Sequence, residues 1–534
     1  MTVSREPGWI RGLALLSGFL YLLLAMFLPP KRFDEGIVVV GAERILHGAI
    51  PYRDFAAYYA PGQFYTLAAV FHFFGSFLLA ERIWETVVRF SLCVVVFLVA
   101  RALVSGRWAY LPYCVVVLFF GWCWFFGYPV VPAMLCALVG VLLLVRGWPE
   151  NRPRNLLLAG IAMGLSAFYR QDVGAYAIAS GVVALAMMGS GRADEAARWR
   201  ASLVAGLRPL AWFALGACLA LAPAAAYFVR KLSIAALYAD FMVLPRLQLR
   251  YRHLPLPSVI PTWRELVAGM GLADNWFLFY VPIGVFLATA AKLVGRSFRP
   301  TGEGRAGRGR FAALLLTLFG LLLVITAITR VDILHCLAPT IPAAILFAAL
   351  LAEWPRRRAW SVQALAICLV VLSVPYVLSP VYRWGLGLKL YPPWSGTSSL
   401  PRARFSHVPA DQEAAAEYVR SHAPTGSPIF VANSQNQRVA GDDAMFYFLA
   451  DRPVGTRYEE FEPGVVTKPS VQREIVGELE RNHVDWVVLY SGFEASARGL
   501  PGPREGSTVL DDFLAGHYEG VARFGRYSIL RKRP

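Results

Sequence analysis

Charge is what this chain lacks. Only 16% of its 534 residues are Asp, Glu, Lys or Arg, against 57% hydrophobic, whereas a soluble domain carries roughly 25% charge to cover its surface. A soluble globule is excluded, and a mean hydropathy of +0.49 marks a polytopic membrane protein. The cysteines lack any chemical grouping. Cys93, Cys114, Cys123, Cys136, Cys218, Cys336 and Cys368 all lie in or beside apolar runs, without a CxxC pair or Cys/His ligand spacing. Neither a zinc site nor a disulfide framework has support. Missing too are a Gly-rich phosphate loop, a nucleophile elbow and any internal repeat, which removes the nucleotide-cradling, serine-hydrolase and solenoid readings. Acid is scarce as well: 35 Asp and Glu face 52 Lys and Arg, for a net charge of +17. No nucleic-acid recognition module accompanies that excess. The bases gather instead in short gaps between apolar runs, the positive-inside pattern, so membrane lipids are the partner of this charge and nucleic acid is not.

What is present is a series of apolar runs. The first, 9–28, is long enough to cross a bilayer at about 20 residues. It ends in Pro29-Pro30-Lys31 without a small-residue cleavage site and reads as a retained anchor. Others fall at 62–80, 84–104, 108–126, 128–146, 155–169, 172–190, 207–229, 276–294, 311–329, 333–352 and 360–380, twelve in all. The expected fold is mainly α, a polytopic bundle of about 11–13 spans, in the cell membrane. Basic gaps at 146–154, 192–208, 292–310 and 356–358 belong in the cytoplasm. That puts the turn at 169–172, the 230–275 connection, the turn at 330–332 and the C-terminal tail outside. Twelve full crossings would return both chain ends to one side, so one segment must be re-entrant, split or miscounted. The stretch 108–146, broken by Gly121, Gly127, Pro129 and Pro132, is the suspect. Within 230–275, residues 234–249 read as a helix on the membrane surface. Two domains follow: a transmembrane domain over 1–384, with a first extracytoplasmic loop at 29–61, and an extracytoplasmic α/β domain over 385–534. In the latter, 410–422 and 470–483 have helical patterning, while 428–432, 486–490 and 527–530 have strand patterning.

The loop after the first run concentrates Asp34, Glu35, Glu43, Asp54, Tyr52, Tyr58 and Tyr59. Asp34 precedes a helical stretch at 36–47. It can be an N-cap, favoured by free N–H groups and the helix dipole, or a general base that activates an acceptor hydroxyl. Capping would weaken it as a base. Arg53, Asp54, Tyr58 and Tyr59, before the Pro61-Gly62 turn, fit an interfacial aromatic belt as well as a sugar site. Arg170 and Asp172 close a helical hairpin, or Arg170 holds an anionic group whose oxygens match a guanidinium. Arg330, Asp332 and His335 form a structural pair with a held histidine, or a functional cluster, since interfacial charges are costly.

Phe33-Asp34-Glu35-Gly36, Pro51-Tyr52-Arg53-Asp54-Phe55 and Tyr59-Ala60-Pro61-Gly62 together resemble the GT-C membrane glycosyltransferases. The resemblance is to the protein mannosyltransferase and aminoarabinose transferase clan, glycosyltransferase family 39-like. Arg170-Gln171-Asp172 resembles the Lys/Arg-Gln-Asp of many bacterial relatives. The resemblance implies that Asp34 is the catalytic carboxylate with Glu35 the neighbouring acid. It also implies a polyprenyl-phosphate sugar as donor and an extracytoplasmic acceptor: protein, lipid or cell-wall glycan. Substrate-binding roles are expected for Arg53, Asp54, Tyr58, Tyr59, Arg170, Asp172, Arg330 and His335. The chain departs from the clan where Tyr59-Ala60-Pro61 replaces Lys-Pro-Pro or His-Pro-Pro. No cofactor is required, because arginines can neutralise a leaving monophosphate. Asp34, Glu35 and Asp172 on the outer side leave a divalent metal open. The competing reading is a transporter or flippase of lipid-linked sugars, which predicts paired broken helices in internal repeats. A non-catalytic scaffold is a third.

Overall fold

The computed structural model describes residues 7–534 apart from 105, 123–125, 191–198, 245, 248–249, 251–252, 261–271, 296–304, 354–384, 387–388, 393–394, 396–397, 439–441, 463 and 493–505. The N-terminal part is helical: α1 (Gly8–Ala25), α2 (Asp34–Leu46), α3 (Pro61–Phe74), α4 (Leu78–Leu103), α5 (Tyr110–Trp122), α6 (Val130–Gly147), α7 (Pro153–Tyr169), α8 (Gln171–Ser190), α9 (Trp199–Lys231), α10 (Ile234–Tyr238), α11 (Leu272–Gly295), α12 (Arg305–Thr329) and α13 (Ile333–Ala352). Six of these, α4, α6, α9, α11, α12 and α13, are long and apolar enough to cross a membrane, and α1, α5 and α8 contain shorter apolar helices. The run at 360–380 lies outside the described residues, as does part of 234–249, of which α10 is the first turn. Proline opens α3 and α7, where its missing N–H costs nothing. Asp332 caps α13 by accepting from the His335 backbone N–H at 3.0 Å. α7 and α9 pack backbone to backbone: a Cβ on Gly160 would stand 2.0 Å from the Phe213 carbonyl oxygen. Small residues permit this approach where helices pack without a hydrophobic drive.

One expectation is corrected. The run at 62–80 is not a span. Its helix, α3, is 14 residues long, and folded protein rather than lipid covers it, with Leu67, Ala68 and Phe71 buried in one core with Met445 and Phe448. Its apolar face packs against the tail domain instead, with the Phe71 ring stacked on Phe448 at 5.8 Å. The 108–146 stretch, suspected of the miscount, forms two separate helices, α5 and α6.

The tail domain is α/β. Strands β1 (Ile429–Asn433), β2 (Trp486–Tyr490), β3 (Tyr518–Phe524) and β4 (Tyr527–Lys532) form one sheet in the order β1-β2-β4-β3. β1 and β2 are parallel, and the other pairs antiparallel. Helix α16 (Pro469–Arg481) makes the β1–β2 crossover, after α14 (Ala410–His422) and α15 (Met445–Ala450) and before α17 (Val509–His517). The sequence patterning missed β3, which is exposed along most of its length and so carries a weak apolar alternation.

The first loop and the tail domain meet. Every residue of α15 is at most 1% exposed, and its start lies on α2, where the Met445 N–H donates to the Arg32 carbonyl at 2.8 Å. A Cβ on Gly36 would stand 2.1 Å from the Met445 nitrogen, so only glycine lets the two backbones close. Gly36→Ala is expected to cost about 1–3 kcal/mol as overpacking against backbone that cannot yield. It should lower the melting temperature in detergent; a variant that melts with the native chain would show that the contact carries no load.

Candidate active site

The loop begins with acids in the first turn of α2, Asp34 and Glu35. Successive residues on a helix point about 100° apart, so the two carboxylates part company. Glu35 turns inward and is 0% exposed. It accepts from Arg82 Nε at 2.9 Å and from Nη2 at 2.8 and 3.0 Å, and from the Lys31 N–H at 2.6 Å. The Arg82 Nη1 donates to the carbonyls of Met26 and Leu28, which uses all five guanidinium donors. Glu35, expected from the resemblance to be the acid neighbouring Asp34 in catalysis, instead ties α2 to the end of α1 through α4. Asp34 keeps partial exposure, and its Oδ1 accepts from the Tyr59 hydroxyl at 3.0 Å. Burial first, and then the Asp34 charge, push the Tyr59 hydroxyl well above its ordinary range, so it stays a donor. Tyr59 is placed by Tyr52, whose hydroxyl donates to the Tyr59 carbonyl at 2.9 Å from a left-handed backbone at φ 68°.

Two further predicted groups lie at the same end of the bundle. Arg170, between α7 and α8, donates from Nε to Asp172 Oδ1 at 2.9 Å and from Nη1 to the Tyr128 hydroxyl at 3.0 Å. Asp172 Oδ2 accepts from Thr326 of α12 at 3.1 Å. Arg330 Nε donates to Asp332 Oδ2 at 2.6 Å, and the His335 ring lies 2.7 Å from Asp332 Oδ1. Burial alone would raise the Asp332 carboxyl, but His335 and Arg330 outweigh it and hold it at about 2. The residue joining these groups is Tyr128, which sequence reasoning missed. Its hydroxyl, pushed up to about 12 chiefly by burial, lies in the fields of Arg170, Asp332 and Asp34 together. The tail domain adds Glu460, which acts on the Tyr59 hydroxyl.

The other expected residues stand apart from this convergence. Arg53 and Asp54 engage each other through two bonds of 2.8 Å, and Asp54 Oδ2 accepts from the Ile50 N–H at 2.7 Å. They close the turn that returns the chain toward Tyr59. Tyr58 is half-buried in the same stretch. Among the described residues no group of three His, Cys, Asp or Glu side chains is arranged to hold a metal.

Beneath the site, the joint between α2 and the tail is rich in buried carboxyls. Asp442, Asp443, Glu459, Glu460 and Glu462 are each at most 5% exposed. Arg44 meets Glu459 at 2.9 Å, Arg32 lies 3.9 Å from Asp443, and the Tyr527 hydroxyl donates to Asp443 at 2.6 Å. Burial outweighs these partners, raising Asp443 to about 6 and Glu459 to about 7. Folded values above the ordinary carboxylate range mean that the stability from the neutral form is full below about pH 4 and is lost as pH rises through 6 to 7. Each carboxyl contributes on the order of 3 kcal/mol over that window. The melting temperature in detergent is expected to fall between about pH 4 and 7 and to level off above that, and Glu459→Gln should flatten part of the slope. A flat native profile would refute it.

No family model matches the chain, and no curated protein matches it. Solved structures do. ArnT from Cupriavidus metallidurans, bound to undecaprenyl phosphate, is 17% identical over 98% of each chain with a TM-score of 0.57. The archaeal oligosaccharyltransferase AglB from Archaeoglobus fulgidus, in complex with an inhibitory peptide and a dolichol-phosphate, is 11% identical over 98% of this chain and 75% of its own, with a TM-score of 0.50. At such identities the likeness is one of fold alone. The chain shares the overall fold of these two membrane-protein structures along almost its whole length.

Proposed function

We propose that the chain is a membrane glycosyltransferase that moves a sugar from a polyprenyl-phosphate donor to an extracytoplasmic acceptor, with inversion at the anomeric carbon. The observation that carries the reading is that Arg170 bonds the Tyr128 hydroxyl within the electrostatic reach of Asp34 and Asp332, while Glu35 is withdrawn into the interior. A half-buried carboxylate within reach of fixed cations suits a general base beside a leaving phosphate. In the reaction, Asp34 takes the proton of the acceptor hydroxyl. The freed oxygen attacks the anomeric carbon from the face opposite the phosphate. The bond from that carbon to the phosphate oxygen breaks, its electron pair staying with polyprenyl phosphate. Arg170 and Arg330 stabilise the charge that develops there, and Asp172 and Asp332 aim those guanidiniums through their Nε bonds. His335, bonded to Asp332, keeps that carboxylate in place.

The topology supports the reading. Twelve apolar runs less α3 leave eleven crossings, an odd number. With the basic gaps in the cytoplasm, the N-terminus is inside, and the loop, the site and the tail domain are outside, in the cell membrane. The test is to supply membranes containing the chain with a radiolabelled polyprenyl-phosphate sugar. Label should appear on an acceptor with the anomeric configuration opposite to the donor's. Movement of lipid-linked sugar across the bilayer, without transfer from any donor, would replace this reading with the flippase one.

A further inference from the structure

Resting on that reading, we infer that Tyr128 is a direct ligand of the donor phosphate, held against Arg170 by a clamp of two buried ionisable side chains of α4, Glu81 and Arg89. The Tyr128 hydroxyl accepts from Arg170 Nη1 at 3.0 Å, yet its own proton has no acceptor among the described residues. The side chain is 4% exposed, and buried tyrosine hydroxyls normally use their donor. Arg170, with Nε on Asp172 and Nη1 on Tyr128, has no partner for Nη2 among the described residues. An unused O–H and an unused guanidinium N–H side by side are two donors with no acceptor. Asp34 and Asp332 lie near enough to act on the same hydroxyl but take other donors. A tetrahedral phosphate oxyanion satisfies such a pair, through one charge-assisted bond from each.

The clamp fixes where that hydroxyl points. Tyr128 precedes α6, and two backbone polar groups just before it are taken by α4. Glu81 Oε1 accepts from the Gly127 N–H at 2.6 Å, and Arg89 Nη2 donates to the Phe126 carbonyl at 3.1 Å. Both side chains are at most 1% exposed, deep among apolar residues where ionisable groups are costly to keep. Gly127 lets the turn sit that low: a Cβ there would stand 2.6 Å from Gln63 Nε2 and 3.2 Å from Glu81 Oε1. Glu81 and Arg89 are therefore positioning residues for Tyr128, not groups that meet substrate.

The experiment measures the thermal shift that undecaprenyl phosphate produces on the full-length protein in detergent, together with the donor KM. Tyr128→Phe keeps the ring and its packing and removes only the hydroxyl. The variant should melt with the native chain when unliganded, but bind undecaprenyl phosphate roughly 10- to 100-fold more weakly, as for loss of a hydrogen bond to a charged group. Its donor KM should rise with little change in kcat. Glu81→Ala should weaken binding in parallel, and Glu81→Gln, which keeps an oxygen for the Gly127 N–H, should restore it. Native-like binding by Tyr128→Phe overturns the inference while leaving the glycosyltransferase reading intact. No shift of the native chain by undecaprenyl phosphate overturns both.

Discussion

Asp34→Asn is expected to lower sugar transfer by roughly 10²- to 10⁴-fold, the range a general base supplies, while leaving the protein folded. The amide is nearly isosteric with the carboxylate, and its oxygen can still accept from the Tyr59 hydroxyl that now lies 3.0 Å away. What it cannot do is receive the acceptor's proton. Affinity for the polyprenyl-phosphate donor should survive, because the proposed mechanism assigns the phosphate to Arg170, Arg330 and Tyr128 rather than to Asp34. The measurement is single-turnover transfer of label, with the melting temperature taken in parallel. Transfer at the native rate would reduce Asp34 to a residue that decorates the start of α2, and the proposed mechanism would fall with it.

The largest expected loss of stability is at Arg82. In Arg82→Met the Glu35 carboxylate, 0% exposed, keeps only the Lys31 N–H, and the Met26 and Leu28 carbonyls lose their donor. Breaking a buried pair from one side costs about 3–5 kcal/mol, whereas replacing both partners by apolar groups can be neutral or better. The single variant should therefore melt far below the native chain, and Glu35→Met combined with Arg82→Met should recover most of the difference. Activity should not return in step, since apolar packing cannot fix the direction in which α2 presents Asp34. Equal stability of the single and double variants would show that the pair is not energetically coupled.

Much of this architecture was legible in the residues. Asp34, Arg170, Asp172, Arg330 and Asp332 stood out because charge at the edge of an apolar run needs a reason; of these, Arg170 bonds the Tyr128 hydroxyl, and Asp34 and Asp332 act on it electrostatically. Strand β2 and helix α14 also emerged with the bounds expected of them, each having a clear apolar period. The failures have physical causes. Hydropathy registers that α3 is apolar but not whether lipid or a folded domain covers it, so α3 passed for a span. Glu35 looked like a partner of Asp34 because sequence adjacency ignores the turn between neighbours on a helix, a rotation that was available from the 3.6-residue period. Arg53 and Asp54 carried the right chemistry but spend it on each other. Tyr128 gave no signal: Gly127-Tyr128-Pro129 marks a break between helices, and only the fold reveals what the break faces.

The seating of α15 on α2 has a consequence for how the fold comes into being. Arg32 bonds a tyrosine 495 positions further along the chain, and Arg44 bonds a carbonyl 412 positions away. Contacts that distant in sequence form late, because the intervening chain must first be ordered. During synthesis the loop bearing Asp34 is therefore delivered long before the element that seats it, and the nascent protein passes through most of its membrane insertion without a finished centre. Assembly itself acts as a timer: the seat of Asp34 is complete only once the tail domain has been made and has closed over the loop.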